Sequence, residues 1–116
     1  MPEPSILNAL EALISERKTK LPAQPSYVIA LLEGGVAKIG AKIVEEAAEV
    51  VEAGEEPGDA GRTHLIKEVA DLVFHTLVLL GLRGASWSEV EAELTRRFGI
   101  GGIVEKESRR KREEPS

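Results

Sequence analysis

Cysteine is absent from the 116-residue chain. That excludes a disulfide-stapled secreted fold, a thiolate zinc site and a thiol nucleophile. Aromatic rings are nearly as scarce, with one Trp, one Tyr and two Phe. So few rings make a stacking platform for single-stranded nucleic acid implausible. An excess of positive charge is missing too. The net charge of −5 repels a polyphosphate backbone, so no nucleic-acid partner is expected. An anionic substrate would need a metal ion or a local cluster of Lys and Arg. No apolar run is long enough for a membrane span: the longest, 69–82, is interrupted by Asp71 and His75 and reads as a buried core helix. The opening Met1-Pro2-Glu3-Pro4 has neither the basic nor the apolar region of a signal peptide. A cytoplasmic protein with no membrane partner is expected.

The composition that remains, 42% apolar and 30% charged, suits one ordinary globular domain. Gly and Pro divide the chain into helical stretches, and no segment shows the alternation of a half-buried strand. Ser5 is placed to cap a first helix over 6–19, and the two prolines at 22 and 25 make a loop. A short helix from Ser26 is expected to stop at Gly34-Gly35, and a longer one to cover 36–53. Residues 55–61, rich in Gly, Pro and acid, read as a loop. A long helix over 63–82 closes at Gly84. Ser86-Trp87-Ser88-Glu89 fits a capping box that opens a helix to about Arg97. The expected architecture is all-α: an antiparallel helical bundle in a single domain over 1–104, then a charged, flexible tail over 105–116.

Two helices carry the chemistry. On the wheel of 36–53, Lys38, Lys42, Glu49 and Glu52 fall within about 60° of Glu45, with Glu46 at the edge of the apolar side. Val36, Ile39, Ile43, Ala47 and Val50 form the opposite stripe. Alone, this is an amphipathic helix with a solvated charged face. On the helix 63–82, His64, Glu68, Asp71 and His75 share a sector about 60° wide, and nearly everything else is apolar. Buried carboxylates need a neutralising cation. Two such pairs on facing helices supply the oxygen ligands of Mg²⁺ or Mn²⁺. The alternative is a buried acid pair neutralised by Lys38 or Lys42. His75 reads either as a core hydrogen-bonding residue or as a ligand, and His64 as a surface residue. Tyr27, beside a proline loop, reads as a core-packing ring or a base-recognition ring.

Glu46-x-x-Glu49 followed by Glu68-x-x-Asp71 resembles the paired-acid signature of the MazG-like all-α nucleoside triphosphate pyrophosphohydrolases. Ser26-Tyr27-Val28, Gly34-Gly35, the run from Lys42 to Val50, and Glu68-Val69-Ala70-Asp71-Leu72-Val73-Phe74-His75 narrow the resemblance to the phosphoribosyl-ATP pyrophosphatase branch, over about residues 5–98. The resemblance implies hydrolysis of phosphoribosyl-ATP to phosphoribosyl-AMP and pyrophosphate, the second step of histidine biosynthesis, with a phosphoribosyl-AMP cyclohydrolase as pathway neighbour. It implies metal binding by Glu46, Glu49, Glu68 and Asp71, with Glu45 also matching the pattern. Among these five catalytic candidates Glu45 is the expected proton acceptor, because it points away from Glu46. Lys38, Lys42 and His75 are the expected substrate-binding residues, with Mg²⁺ as cofactor and Mn²⁺ as substitute. The alternative is a house-cleaning pyrophosphatase of the same superfamily acting on another nucleotide. A homodimer is expected on two grounds. One copy cannot cover a helix that is apolar nearly all round, and the resembling family completes its bundle across a dimer. Leu77 and Leu80 are the positions expected at that interface.

Overall fold

A computed structural model describes residues 5–19 and 26–99. Four helices account for nearly all of them: α1 (Ile6–Thr19), α2 (Tyr27–Glu55), α3 (Gly58–Leu82) and α4 (Trp87–Phe98). The described residues contain no strand, as the sequence pattern requires. The loop expected at 21–25, the break after Gly99 and the tail from 105, with the boundary at 104, lie outside the described residues. The helices divide between two compact units that part after Ala85. The first holds α1, α2 and α3; the second holds α4.

Each start has its chemical reason. Ser5 Oγ accepts from the Asn8 N–H at the head of α1, and Ser26 Oγ accepts from the Ile29 N–H at the head of α2. The expected capping box is present: Ser86 Oγ accepts from the Glu89 N–H, and Glu89 Oε2 accepts from the Ser86 N–H at 2.7 Å. The break expected at Gly34-Gly35 is a kink within α2. Gly35 has φ 65 and ψ −160, a conformation essentially reserved for glycine.

The junction of α2 and α3 corrects the expected loop. Only Glu56 and Pro57 separate the helices, and α3 begins at Gly58 rather than 63. Pro57 sits at the N-cap in extended conformation, and Asp59 lies in the first turn, where an acid complements the helix dipole. The residues that read as a loop are thus helix-starting chemistry. Gly61 is buried against the turn, and a Cβ there would run into the Glu56 carbonyl.

With so short a turn, α2 and α3 form an antiparallel pair, and α1 packs across their far end. The core is Ile14, Val28, Leu31, Ile39, Ala53, Leu77 and Val78. Lys18 Nζ donates to the Gly81 carbonyl near the end of α3. The apolar stripe expected on α2 is only partly interior: Ile39 is buried, but Val36 and Ala47 are exposed. As expected of one copy, α3 is not covered all round in the single chain, where Ile66 and Val69 are exposed. Within this unit only α1 and α2 are available to cover it. Leu77, expected at a subunit interface, is in the chain's own core, and Leu80 is half-buried.

Candidate active site

The antiparallel pairing sets the middle of α2 against the first half of α3. There Glu46, Glu68 and Asp71 bring one carboxylate oxygen each to within 4.8 Å of one another. Glu46 and Glu68 are each only 7% exposed, and Asp71 is half-buried. Desolvation and, next, the Asp71 carboxylate push the Glu46 carboxyl above its usual 4.5, with His75 pulling the other way. Glu49, one turn along α2, is also raised, first by its contact with the Glu68 carboxyl.

Among the described residues, Glu68 Oε2 is the buried side-chain oxygen without a hydrogen-bond partner. Such an atom costs on the order of 1–3 kcal/mol unless something satisfies it. An oxygen-only donor set that includes an unpartnered carboxylate oxygen fits a hard cation such as Mg²⁺ or Mn²⁺. Neutralisation by lysine is not what the structure has. Lys42 pairs with Glu45, at 3.4 Å, and among the described residues no lysine forms an ion pair with Glu46, Glu68 or Asp71.

Two histidines do reach the acids. His75 Nδ1 lies 2.9 Å from Glu46 Oε1 and 3.0 Å from the Asp71 carbonyl oxygen. A carbonyl only accepts, so the Asp71 bond requires the proton on Nδ1. The other nitrogen, Nε2, meets the Tyr27 hydroxyl at 2.8 Å, and Tyr27 stacks on Phe74 with ring centroids 6.3 Å apart. His75 is buried, with both nitrogens engaged within the chain. His64, expected at the surface, is partly exposed there, and its ring is engaged on both sides. Its Nε2 lies 3.2 Å from Glu68 Oε1, and its Nδ1 shares a hydrogen bond with Glu56 Oε2 at 2.8 Å. The Glu56 contact, above all, raises its pKa from the usual 6.5.

Of the residues singled out in the sequence, Glu46, Glu68 and Asp71 converge, with Glu49 at their edge. Glu45 stands apart on the exposed ridge with Lys42, and Lys38 lies on the same exposed side. Glu56 and the Tyr27–His75 link were not anticipated. His64 had a signal, since it shares a wheel sector with Glu68 and Asp71; Glu56 had none, because its approach depends on the turn.

The family model for phosphoribosyl-ATP pyrophosphohydrolase matches residues 7–98. The chain is 46% identical over 108 residues to a phosphoribosyl-ATP pyrophosphatase of Rhodopirellula baltica, covering 91% of this chain and 90% of that protein. It is 49% identical to the enzyme of that name from Geotalea daltonii, over 90% of this chain and 94% of the other. A protein of the same name from Neisseria meningitidis serogroup B is 44% identical, with the same two coverages.

Proposed function

Because the chain belongs to the phosphoribosyl-ATP pyrophosphohydrolase family, we propose that it hydrolyses phosphoribosyl-ATP to phosphoribosyl-AMP and pyrophosphate. This is the second step of histidine biosynthesis, and its product is the substrate of a cyclohydrolase. The observation that carries the reading is the convergence of Glu46, Glu68 and Asp71, together with a buried Glu68 oxygen that has no hydrogen-bond partner among the described residues.

Glu46, Glu49, Glu68 and Asp71 would hold Mg²⁺, with Mn²⁺ as a substitute. When bound, the ion offsets the charge of the acids and the triphosphate, and stabilises the charge that builds on departing pyrophosphate. Water adds to phosphorus as the bond between the α-phosphorus and the bridging oxygen breaks. Glu45 is the assigned acceptor of that water's proton; it lies outside the buried cluster and so keeps a free lone pair. Lys42 holds Glu45 in place and, with Lys38, offers point charges to phosphate oxygens. His75 holds Glu46 from within the fold, and the engagement of both its nitrogens favours this role over direct contact with substrate.

The same proposal takes 1–104 as the catalytic domain, with 105–116 as a tail, places the enzyme in the cytoplasm and makes it a homodimer. No described helix is long and apolar enough to cross a membrane. Support for the dimer is the exposure of Val44 and Val51 on α2 and of Ile66 and Val69 on α3.

The test is pyrophosphate release from phosphoribosyl-ATP, with and without Mg²⁺, alongside dCTP and dUTP. Release from phosphoribosyl-ATP alone, abolished by chelator, is the expected result. Turnover of the deoxynucleotides without turnover of phosphoribosyl-ATP would establish the house-cleaning alternative instead.

A further inference from the structure

We propose that His64 is a positioning residue for the metal site: held by Glu56 at the α2–α3 turn, it fixes Glu68 through Oε1 and leaves Oε2 for a metal ion. This rests on the metal-dependent reading above and assigns a function to residues outside the paired-acid pattern.

The argument starts at the turn. Two residues connect the helices, and Gly61 admits the Glu56 backbone where any side chain would collide. Glu56 is thereby brought beside the first turns of α3, eight positions from His64 in sequence and in hydrogen-bond contact with its Nδ1. The other ring nitrogen then points at Glu68, one helical turn further on, and meets Oε1 at 3.2 Å. The ring thus engages Glu68 at Oε1 and leaves Oε2 to other groups. Oε2 is buried and lacks a hydrogen-bond partner among the described residues. A carboxylate whose two oxygens were equivalent could rotate to offer either. One engaged by an imidazole presents a single oxygen in a fixed direction, the usual effect of a group behind a metal ligand. The ring cannot itself supply the missing partner to Oε2, because both its nitrogens are committed. Among the acids of the cluster His64 meets Glu68, and it acts through that residue.

The experiment is Mn²⁺ binding to the metal-free full chain, followed by electron paramagnetic resonance of free Mn²⁺, for wild type, His64→Leu, His64→Gln, Glu56→Ala and the Leu/Ala double variant. Removing a group behind a ligand typically weakens metal binding about 10- to 100-fold. His64→Leu is expected to fall in that range, with wild-type helix content by circular dichroism. His64→Gln keeps an N–H donor near the Nε2 position and should recover most of the loss. Glu56→Ala should weaken binding on its own, yet add nothing to His64→Leu, since it works through the ring. At saturating Mn²⁺, the KM for phosphoribosyl-ATP in His64→Leu should stay within about twofold of wild type, because the residue does not meet substrate. Unchanged Mn²⁺ affinity in a folded His64→Leu overturns the proposal while leaving the metal site standing. So does an equal loss in His64→Gln. Wild-type protein that binds no Mn²⁺ removes the metal reading, and this proposal with it.

Discussion

Glu68 and Asp71 are the side chains on which the proposed chemistry depends most. Converting Asp71→Asn preserves shape and removes one charge from a cluster of three. The expected result is loss of Mg²⁺-dependent pyrophosphate release, with a rise in the melting temperature of metal-free protein as repulsion is relieved. Near-normal turnover at modest Mg²⁺ would contradict the assignment. Glu46 permits a pH test. Its carboxyl is raised by burial and by Asp71, so the folded chain holds its proton more tightly than the unfolded chain does. Stability from this group is fully present below the unfolded value of about 4.5 and is lost as pH rises through the higher folded value. Metal-free wild type should therefore lose stability relative to Glu46→Gln on going from about pH 4.5 to about pH 7. Mg²⁺ at neutral pH should reverse that difference. Parallel melting curves of the two proteins across this range would show that Glu46 bears no such strain.

Glycine decides the elements as much as the apolar residues do. Gly35 interrupts α2 in a conformation that side chains avoid, and a substitution there is expected to cost about 1–3 kcal/mol. Gly40 lies in regular helix with open space where a Cβ would sit. Urea unfolding should therefore separate two superficially similar changes. Gly35→Ala lowers the free energy of unfolding, whereas Gly40→Ala raises it by roughly 0.5–1 kcal/mol. Equal effects would mean that the kink is not a property of Gly35. Gly61→Ala belongs to the same scale but has a functional reach. It displaces the Glu56 turn and should weaken Mn²⁺ binding together with stability.

At the level of the whole molecule, the exposed apolar residues determine the assembly test. Val44 is 71% exposed, Val51 63% and Ile66 55% in the single chain. None of them supports the core of one copy, so a charge there leaves the folded subunit intact and acts on association alone. Val44→Asp combined with Val51→Asp should convert a dimer into a folded monomer in sedimentation. Leu77→Asp should instead unfold the protein, since Leu77 lies in the chain's own core. Wild-type chain sedimenting as a stable 12.5 kDa monomer at micromolar concentration would refute the dimer.

The sequence by itself determined the helical class, the caps at Ser5 and Ser86, the helix start at Ser26, the break at Gly34-Gly35, and the acids that meet. These features are local. A cap needs only its own next turn, and Glu68 and Asp71 share a face because three residues make most of one helical turn. It could not place the start of α3, because Pro57, Gly58 and Asp59 serve loops and helix starts equally well. Nor could it show that Tyr27 stands behind His75, or Glu56 behind His64. Each of those contacts joins different helices, or the turn between them to a helix, and depends on how tightly α2 turns into α3. The same closeness decided which apolar residues are interior. Periodicity gave Leu77 and Ile66 the same hydrophobic standing, but α1 and α2 cover only one side of α3, so Leu77 is buried and Ile66 is not.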